Sequence, residues 1–247
     1  MPEGPEIKIM SDFIQKSTNK KTFTKIFTSP KNNNFIEVTD SIVNTEFTIN
    51  TKASGKELSL YLNDSVLLTF FMGMTGNWKF VKSDDIDKTN WIRVRFDTND
   101  GYSLICYGGY MGPKWTVGKF KGTKRGPDPT INFDLFKANI LSNLDKKVFT
   151  KPIPEVLLNQ EYFNGIGAYL VSEILGRSDI NPFRKFNELS NAEIDLLLNL
   201  SHTCFNESYS YGGGELMDWS NPFGSSNINS WILFYGNKNK CHKYKFG

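Results

Sequence analysis

The chain has 247 residues, of which 39% are hydrophobic and 22% charged, the composition of an ordinary globular protein with buried cores. Its net charge of +3 is too small to indicate a polyanionic partner by itself. No apolar run approaches a membrane span, the first residues lack the basic start and apolar stretch of a secretory signal, and three cysteines do not make a disulfide framework. We therefore expect a soluble, intracellular protein with reduced thiols.

The first part of the chain predicts one helix followed by a β domain. Residues 6–18 place Ile7, Met10 and Ile14 at helical spacing. From about residue 22 to 107, segments such as ELSLYL and WIRVRFD alternate or run apolar, and TNDG before GYSLICY is typical of a hairpin turn. We predict a β-sandwich or barrel with one N-terminal helix for the first domain, residues 1–122. Residues 108–130, rich in Gly, Pro, Lys and Trp, are expected to form a long loop and then a linker.

The second part predicts helices. After Pro129 the apolar residues recur at intervals of three and four, as in FDLFKANILSNL and NAEIDLLLNLSHTCFNESY. One helix is expected to end at Asn164-Gly165, and Gly167 is expected to open another that ends near Arg177. The sequence thus predicts an α+β protein of two domains, with a helical domain over residues 123–247 and a boundary near residues 122–132.

The N-terminal sequence MPEGPE has two interpretations. Pro2 can begin a helix whose positive end Glu3 and Glu6 favour. Alternatively, removal of Met1 exposes the proline nitrogen, and an α-amino group titrates near about pH 8, so part of it is nucleophilic at neutral pH. Attack on a sugar C1′ would give an iminium, and a neighbouring carboxylate can move protons. On this fragment alone the helix start is favoured.

Two further positions leave a structural and a chemical interpretation open. Lys56 follows Gly55 at the start of a predicted strand, where a lysine is usually solvated but can also bind phosphate or shuttle protons. Met74 lies between two glycines in FFMGMTGNW, which is typical of a buried turn methionine or of an apolar wedge that fills the gap left by an extruded base.

The stretch LLNQEYFNGIGAYLVSEILGRSDINPF combines a helix, a glycine turn and a second helix. Backbone amides in such a turn suit phosphate binding, although G-x-G alone is a weak motif. The basic runs KRGPDP and KNKCHKYK are typical of solvated surface as much as of a polyanion site.

PEGPE, GKEL, GMTG and the NGIG turn occur in one chain in this order, and together they resemble the formamidopyrimidine-DNA glycosylase and endonuclease VIII family. ASGKEL, LLNQEYFNGIG and SWILFYG look most like its eukaryotic-type endonuclease VIII-like branch, in which some members have a finger hairpin without zinc. The resemblance implies a β-sandwich, a cleft, a helix–two-turn–helix domain and a zincless finger.

The resemblance also implies a role for each matching residue. Pro2 would attack C1′ of the damaged nucleoside, Glu3 would handle protons on the sugar, and Lys56 would contact phosphate and support elimination. Met74 would enter the duplex where the base is flipped out. The residues implied to bind substrate DNA are Glu6, Met74, Asn164, Gly165 and Gly167.

Three departures from the family pattern affect the expected DNA contacts. Ala168 stands where the family usually has an asparagine that contacts the DNA backbone. Met111 and Gly112 stand where many members have an arginine and a phenylalanine that help to fill the void, so Met74 is expected to act largely alone. The sequence stops at KYKFG, so either it is cut before the finger arginine or that arginine is absent.

A zinc site is not expected, because zinc needs about four ligands and Cys241-His242 has no second pair after it. We expect no cofactor, a monomer, and DNA with damaged bases or abasic sites as the partner. If the source is eukaryotic, the expected location is the nucleus or an equivalent DNA compartment.

The expected function is removal of oxidised bases, pyrimidines more than purines, followed by β,δ-elimination. The alternative is a damage-binding protein with lost or weak catalysis. For either function we expect a cleft between the domains, with Pro2 and Lys56 on its floor and the Gly165–Gly167 turn on its wall.

Overall fold

The computed structural model describes residues 1–29, 35–86, 91–214, 219–224 and 233–235. The chain forms two compact units. The first comprises Met1–Pro2, Glu6–Gly122 and Leu216–Ser225, and the second comprises Glu3–Pro5, Thr123–Glu215 and Ser226–Gly247. The predicted α+β fold, a β-sandwich followed by helices, is confirmed.

The first unit contains most of a long N-terminal helix and two antiparallel sheets. The helices in this part of the chain are α1 (Gly4–Ser17) and α2 (Thr39–Ile42), with a 3-10 turn at Ser83–Asp85. The strands are β1 (Phe23–Thr28), β2 (Ile36–Glu37), β3 (Ile49–Ser54), β4 (Glu57–Leu62), β5 (Val66–Phe71), β6 (Asn77–Lys82), β7 (Ile92–Thr98), β8 (Tyr102–Tyr107) and β9 (Lys114–Val117). One sheet has the order β2-β1-β7-β8-β6 and the other β3-β4-β5-β9.

The two sheets enclose an aromatic core. Phe70 of the four-stranded sheet meets Trp78 of the five-stranded sheet edge to face, with ring centroids 5.0 Å apart. Both side chains are fully buried. Along β4 and β7, buried residues alternate with more exposed ones, as in a sandwich whose sheets each turn one face to the core. Helix α1 is joined to β3 by a 3.0 Å hydrogen bond between the hydroxyls of Ser11 and Thr51.

The prediction that residues 108–130 form only loop and linker is wrong at β9. Lys114–Val117 pairs antiparallel with β5, and Trp115 lies opposite Phe70 in the register. The two rings stack with centroids 6.2 Å apart. Stacking of this half-buried aromatic ring on the sheet outweighs the turn preference of the surrounding glycines and prolines.

The second unit is helical in the residues that the structure describes. Its helices are α3 (Phe133–Leu141), α4 (Ile153–Leu157), α5 (Ala168–Ser178) and α6 (Asn191–Ser210), with 3-10 turns at Lys147–Thr150 and Phe186–Glu188. Asn132 caps α3, and Ser190 with Glu193 forms a capping box at the start of α6. The buried rings of Phe136, Phe163 and Phe186 pack in its core.

The helix predicted to end at Asn164-Gly165 ends at Leu157 instead, and residues 158–167 form consecutive turns. The side chain of Asn159 accepts the backbone N–H of Glu161 at 2.9 Å, and the side chain of Gln160 accepts that of Gly165 at 3.1 Å. These side chains replace the helical carbonyls as acceptors, so the chain turns rather than continuing α4. The predicted start of the next helix at Gly167 is confirmed to within one residue.

Among the helices that the structure describes, none combines the length and hydropathy needed to cross a membrane.

Candidate active site

The N-terminal residues lead directly into α1 and are buried. Pro2 is buried and Glu3 is only 3% exposed, whereas Met1 is 51% exposed. Helix α1 then begins at Gly4, two residues after the start at Pro2 that the structural interpretation of MPEGPE predicts, and Glu6 lies in its first turn. A buried proline and a buried carboxylate at a chain terminus are unusual, because termini normally fray in solvent.

The carboxylate of Glu3 is bound to the start of α5. Its Oε1 accepts a 3.0 Å hydrogen bond from the backbone N–H of Tyr169, the second residue of that helix. The first N–H groups of a helix have no partner within the helix and carry partial positive charge, so they hold an anion well. This contact fixes the position of the carboxylate.

Two glycines allow this close approach. A Cβ at Gly167 would lie 2.3 Å from Oε1 of Glu3, and a Cβ at Gly4 would lie 2.1 Å from the ring of Phe205. The N–H of Gly4 also donates to the carbonyl of Gly165 at 2.9 Å. Within the second unit, the structure thus brings together the predicted residues Glu3, Gly165 and Gly167.

Tyr169 was not identified from the sequence. Its ring is 1% exposed and its hydroxyl lies 3.0 Å from that of Ser208. The sequence of an amphipathic helix does not indicate that the backbone N–H of its tyrosine will donate to a carboxylate that lies 166 positions earlier in the chain.

Lys56 lies in the tight turn between β3 and β4 rather than at the strand start, since β4 begins at Glu57. Gly55 has a φ of +53°, the left-handed conformation that favours glycine in such a turn. Lys56 is 8% exposed, so the interpretation as a solvated lysine is wrong. Lys52 on β3 provides the contrast, because its side chain is exposed. A buried amine suits proton transfer or anion binding better than a surface amine does.

Met74 lies in the turn between β5 and β6 and is 40% exposed, so it is not the buried turn methionine of the structural interpretation. Its N–H donates to the carbonyl of Met111 at 2.8 Å. Gly73 has a φ of +61°, and a Cβ there would lie 2.2 Å from that same carbonyl oxygen. The turn of Met74 and the loop 109–112 therefore contact each other through their backbones.

The loop 109–112 exposes two large side chains. Tyr110 is 84% exposed, and Met111 is 60% exposed with a φ of +59°. A left-handed conformation at a methionine is uncommon and is retained here by the hydrogen bond to Met74. The exposed Tyr110 is a candidate functional residue that the sequence interpretation missed.

Asn164 and Glu6 are completely buried, in the second and first unit respectively. Asn164 accepts from Arg125 at 3.4 Å and donates to the carbonyl of Gly126 at 2.9 Å. Gln160, another residue that the sequence interpretation missed, donates to the carbonyl of Ile166 at 2.8 Å. Side chains of Asn164 and Gln160 thus hold the glycine turn from within.

The buried thiols do not compete as nucleophiles. Burial raises the pKa of Cys204 to about 12 and raises the pKa of Cys106 well above its ordinary value. A cysteine must be a thiolate to attack, so neither group is reactive at neutral pH. Cys241 lies outside the described residues.

Over the part of the chain that the structure describes, no group of three or more His, Cys, Asp and Glu side chains could hold a metal ion. Cys241-His242 and the predicted finger, which includes residues 236–247, lie outside the described residues, so the expectations of a finger and of no zinc remain predictions. The cleft and the monomeric state also remain predictions.

Residues 1–108 match the family described as the Formamidopyrimidine-DNA glycosylase N-terminal domain. Endonuclease 8-like 1 of Homo sapiens is 28% identical over 272 residues, covering 96% of this chain and 68% of the human protein. Endonuclease 8-like 1 of Mus musculus is 31% identical, covering 75% of this chain but only half of the mouse protein. Formamidopyrimidine-DNA glycosylase of Wolbachia is 25% identical, covering 91% of this chain and 84% of the bacterial protein.

Solved structures share the fold. A complex of Lactococcus lactis FPG with a Fapy-dG containing DNA superposes with a TM-score of 0.73 at 21% identity, covering 91% of this chain and 84% of that one. A structure of MutM with a carbocyclic 8-oxo-G containing DNA gives a TM-score of 0.71 at 20% identity, covering 91% of this chain and 85% of that one. The matched N-terminal domain, the ordered motifs and the shared fold agree, and the chain is similar to the formamidopyrimidine-DNA glycosylase and endonuclease VIII family, including its endonuclease 8-like members.

Proposed function

We propose that this protein is a base-excision-repair DNA glycosylase and abasic-site lyase that removes oxidised bases, pyrimidines more than purines. Similarity to this family supports the enzyme class, since the relatives are named as DNA glycosylases and endonuclease 8-like proteins. The pyrimidine preference rests on the endonuclease 8-like similarity.

The proposed nucleophile is the nitrogen of Pro2 after removal of Met1. It forms a bond to C1′ of the damaged nucleoside, and the base departs with the electrons of the glycosidic bond and takes up a proton. The nitrogen then loses its proton, and its lone pair expels the sugar ring oxygen from C1′. The oxygen takes up a proton, and an iminium forms between Pro2 and C1′. This electron sink allows loss of a C2′ proton and departure of the 3′ phosphate, and a second elimination releases the 5′ phosphate.

Glu3 is the proposed proton carrier at the sugar. Its buried carboxylate is fixed by the N–H of Tyr169 and lies one residue after the proposed nucleophile. A general acid or base contributes most when its position is fixed before the reaction, so the contact with α5 supports this role.

Lys56 is the proposed partner of the phosphate and an aid to elimination. A lysine that is 8% exposed has already lost most of its hydration, so a phosphate replaces water at lower cost than at a surface lysine. Its position in the short β3–β4 turn restricts its movement.

Met74 is the proposed wedge, and we propose that it does not act alone. Tyr110 and Met111 are exposed in a loop whose backbone is hydrogen-bonded to Met74. Exposed apolar and aromatic side chains can enter a duplex or stack on an unpaired base.

The glycine turn before α5 is the proposed contact with the DNA backbone, at Gly167. Gly165, whose N–H and carbonyl are bonded to Gln160 and Gly4, is proposed to shape the turn. Asn164 is then proposed to act by holding the turn, because its side chain is buried and bonded to Gly126. Glu6 is likewise buried and is proposed to support the N-terminal motif from α1.

The observation that carries the proposal is the fixed carboxylate of Glu3 immediately after Pro2. The test is a panel of duplexes with an oxidised pyrimidine, an oxidised purine or an abasic site, with base release and strand cleavage measured separately. We expect release and cleavage on the pyrimidine lesion and cleavage at the abasic site. Binding to the same duplexes without cleavage of any of them would instead establish the damage-binding alternative, which the alanine at position 168 favours.

A further inference from the structure

A carboxylate that the proposed mechanism does not use is buried in α5. Glu173 is 0% exposed and accepts backbone hydrogen bonds from three consecutive residues, Leu233, Phe234 and Tyr235. The distances to Oε1 or Oε2 are 3.0 Å, 2.7 Å and 2.9 Å respectively. One side chain thus binds the whole of the described segment 233–235.

The rings of the same segment also contact α5. A Cβ at Gly176 would lie 2.2 Å from the ring of Phe234, so the missing side chain makes room for that ring. Tyr235 meets Tyr169 edge to face, with centroids 6.2 Å apart. Tyr169, Glu173 and Gly176 are spaced by four and three residues and so share one face of α5. The segment therefore lies along the face that includes the residue bound to Glu3.

Packing alone does not explain this arrangement. The carboxylate also pairs with Arg177, whose Nε lies 3.6 Å from Oε2. Burying such an ion pair is costly even when it is hydrogen-bonded, and an apolar residue of similar size is often as good for stability. What a charged acceptor provides is a defined backbone position, because three N–H groups must converge on it. The side chains that this backbone holds towards solvent are Leu233 and Tyr235, which are 38% and 40% exposed.

We propose that Glu173 is a positioning residue that fixes segment 233–235 on α5, so that Leu233 and Tyr235 contact the DNA substrate. This inference rests on the proposed function. It adds a contact between segment 233–235 and the substrate, and it explains why the charged side chain of Glu173 is buried beneath that segment.

The test compares Glu173→Gln with the unaltered protein on abasic-site DNA. The amide keeps one acceptor oxygen but turns an NH₂ group towards N–H donors, so the segment should lose its position. Hydrogen bonds to a charged group are strong, so their loss should release segment 233–235 and with it the contacts of Leu233 and Tyr235 to DNA. We therefore expect the Kd and KM for DNA to rise by about tenfold or more. The kcat at saturating DNA should stay within about twofold, since the segment holds substrate and not the reacting atoms.

A double-mutant cycle separates positioning from general loss of stability. If Glu173 acts through the two side chains, adding Glu173→Gln to a Leu233→Ala, Tyr235→Ala protein should raise KM by less than about twofold further. Gly176→Ala displaces Phe234 and leaves the carboxylate in place, and we expect it to raise KM as Glu173→Gln does. It also serves as the second variant if Glu173→Gln does not fold. Ser172→Ala on the same helix is the control and should change nothing.

An unchanged KM in Glu173→Gln and Gly176→Ala, or additive effects in the cycle, would overturn the positioning role while leaving the proposed function intact. Failure of the unaltered protein to cut abasic DNA would instead count against the proposed function. In that case Kd alone is compared, and an unchanged Kd in both variants would overturn the positioning role as well.

Discussion

The carboxylate of Glu3 accepts a 3.0 Å hydrogen bond from the backbone N–H of Tyr169, so the third residue of the chain is bound to the first turn of α5. The carboxylate is 3% exposed. The contact depends on Gly167, where even a methyl group would collide with the carboxylate. Glu3 is therefore more than a favourable charge near the start of α1, because its carboxylate has a fixed position.

Gly167→Ala tests this placement. The added Cβ would lie 2.3 Å from Oε1, so the carboxylate must move by about an ångström or more. A displacement of that size typically costs about 10²-fold in rate. We expect single-turnover base release at saturating DNA to slow by that factor, whatever the change in Kd, because Gly167 is also a proposed DNA contact. Ser172→Ala should match the unaltered protein, and an undiminished rate in Gly167→Ala would show that the carboxylate position is unimportant.

Lys56→Met should impair elimination more than base release. Removing a proposed proton carrier and phosphate partner is expected to slow strand cleavage by about 10²-fold. Gel analysis with and without alkali reports the two steps separately, because alkali cuts every abasic site. Lys52→Met removes an exposed lysine of the same sheet and should leave both steps unchanged. Equal losses in the two variants would indicate a general charge effect rather than a role for the buried amine.

Met74→Ala should weaken the insertion of side chains into damaged DNA, and adding Tyr110→Ala should weaken it further. Stacking of one base on an aromatic side chain is worth about 1–3 kcal/mol, so Tyr110→Ala alone should raise Kd by about fivefold or more. The measurement is fluorescence of 2-aminopurine opposite the abasic site. If Tyr110→Ala bound and unstacked DNA normally, Met74 would act alone.

Ala168→Asn should strengthen DNA binding. The substitution gives the first residue of α5 a side-chain donor, like the asparagine that the family usually has there. One added hydrogen bond to phosphate corresponds to about a tenfold lower Kd. Ala138→Asn introduces the same residue at an exposed position of α3 and serves as the control. Weaker binding by Ala168→Asn than by Ala138→Asn would mean that the turn is not a DNA contact.

The start of α6 should lose stability in acid. The hydrogen bond from Arg184, together with those from Ser190, lowers the pKa of Glu193 from 4.5 to about 2. A lowered folded-state pKa means that the stabilisation is complete above about pH 4.5 and is lost as the pH falls towards 2. Arg184→Met should therefore reduce the free energy of unfolding at pH 7 and converge with the unaltered protein near pH 2. Chemical denaturation at several pH values measures this. In the control variant Lys146→Met, the difference in free energy of unfolding from the unaltered protein should not shrink as the pH falls.

The sequence predicted the elements whose pattern is local. Alternation and turn residues predicted the sandwich, and Gly167 predicted the start of α5. Features that depend on distant contacts were not predictable. Strand β9 forms because Trp115 reaches Phe70, and Lys56 is buried although a lysine at a predicted strand start is usually solvated. The partners of Glu3 and Glu173 lie 166 and about 60 residues away, beyond any periodic pattern.

Trapping of the iminium tests the central claim most directly. The protein is incubated with abasic-site DNA and borohydride, and the covalent product is digested and mapped by mass spectrometry. The account predicts one protein–DNA adduct on the nitrogen of Pro2 in protein that has lost Met1, and none in a preparation that retains Met1. An adduct on a lysine, or equal trapping in both preparations, would contradict it.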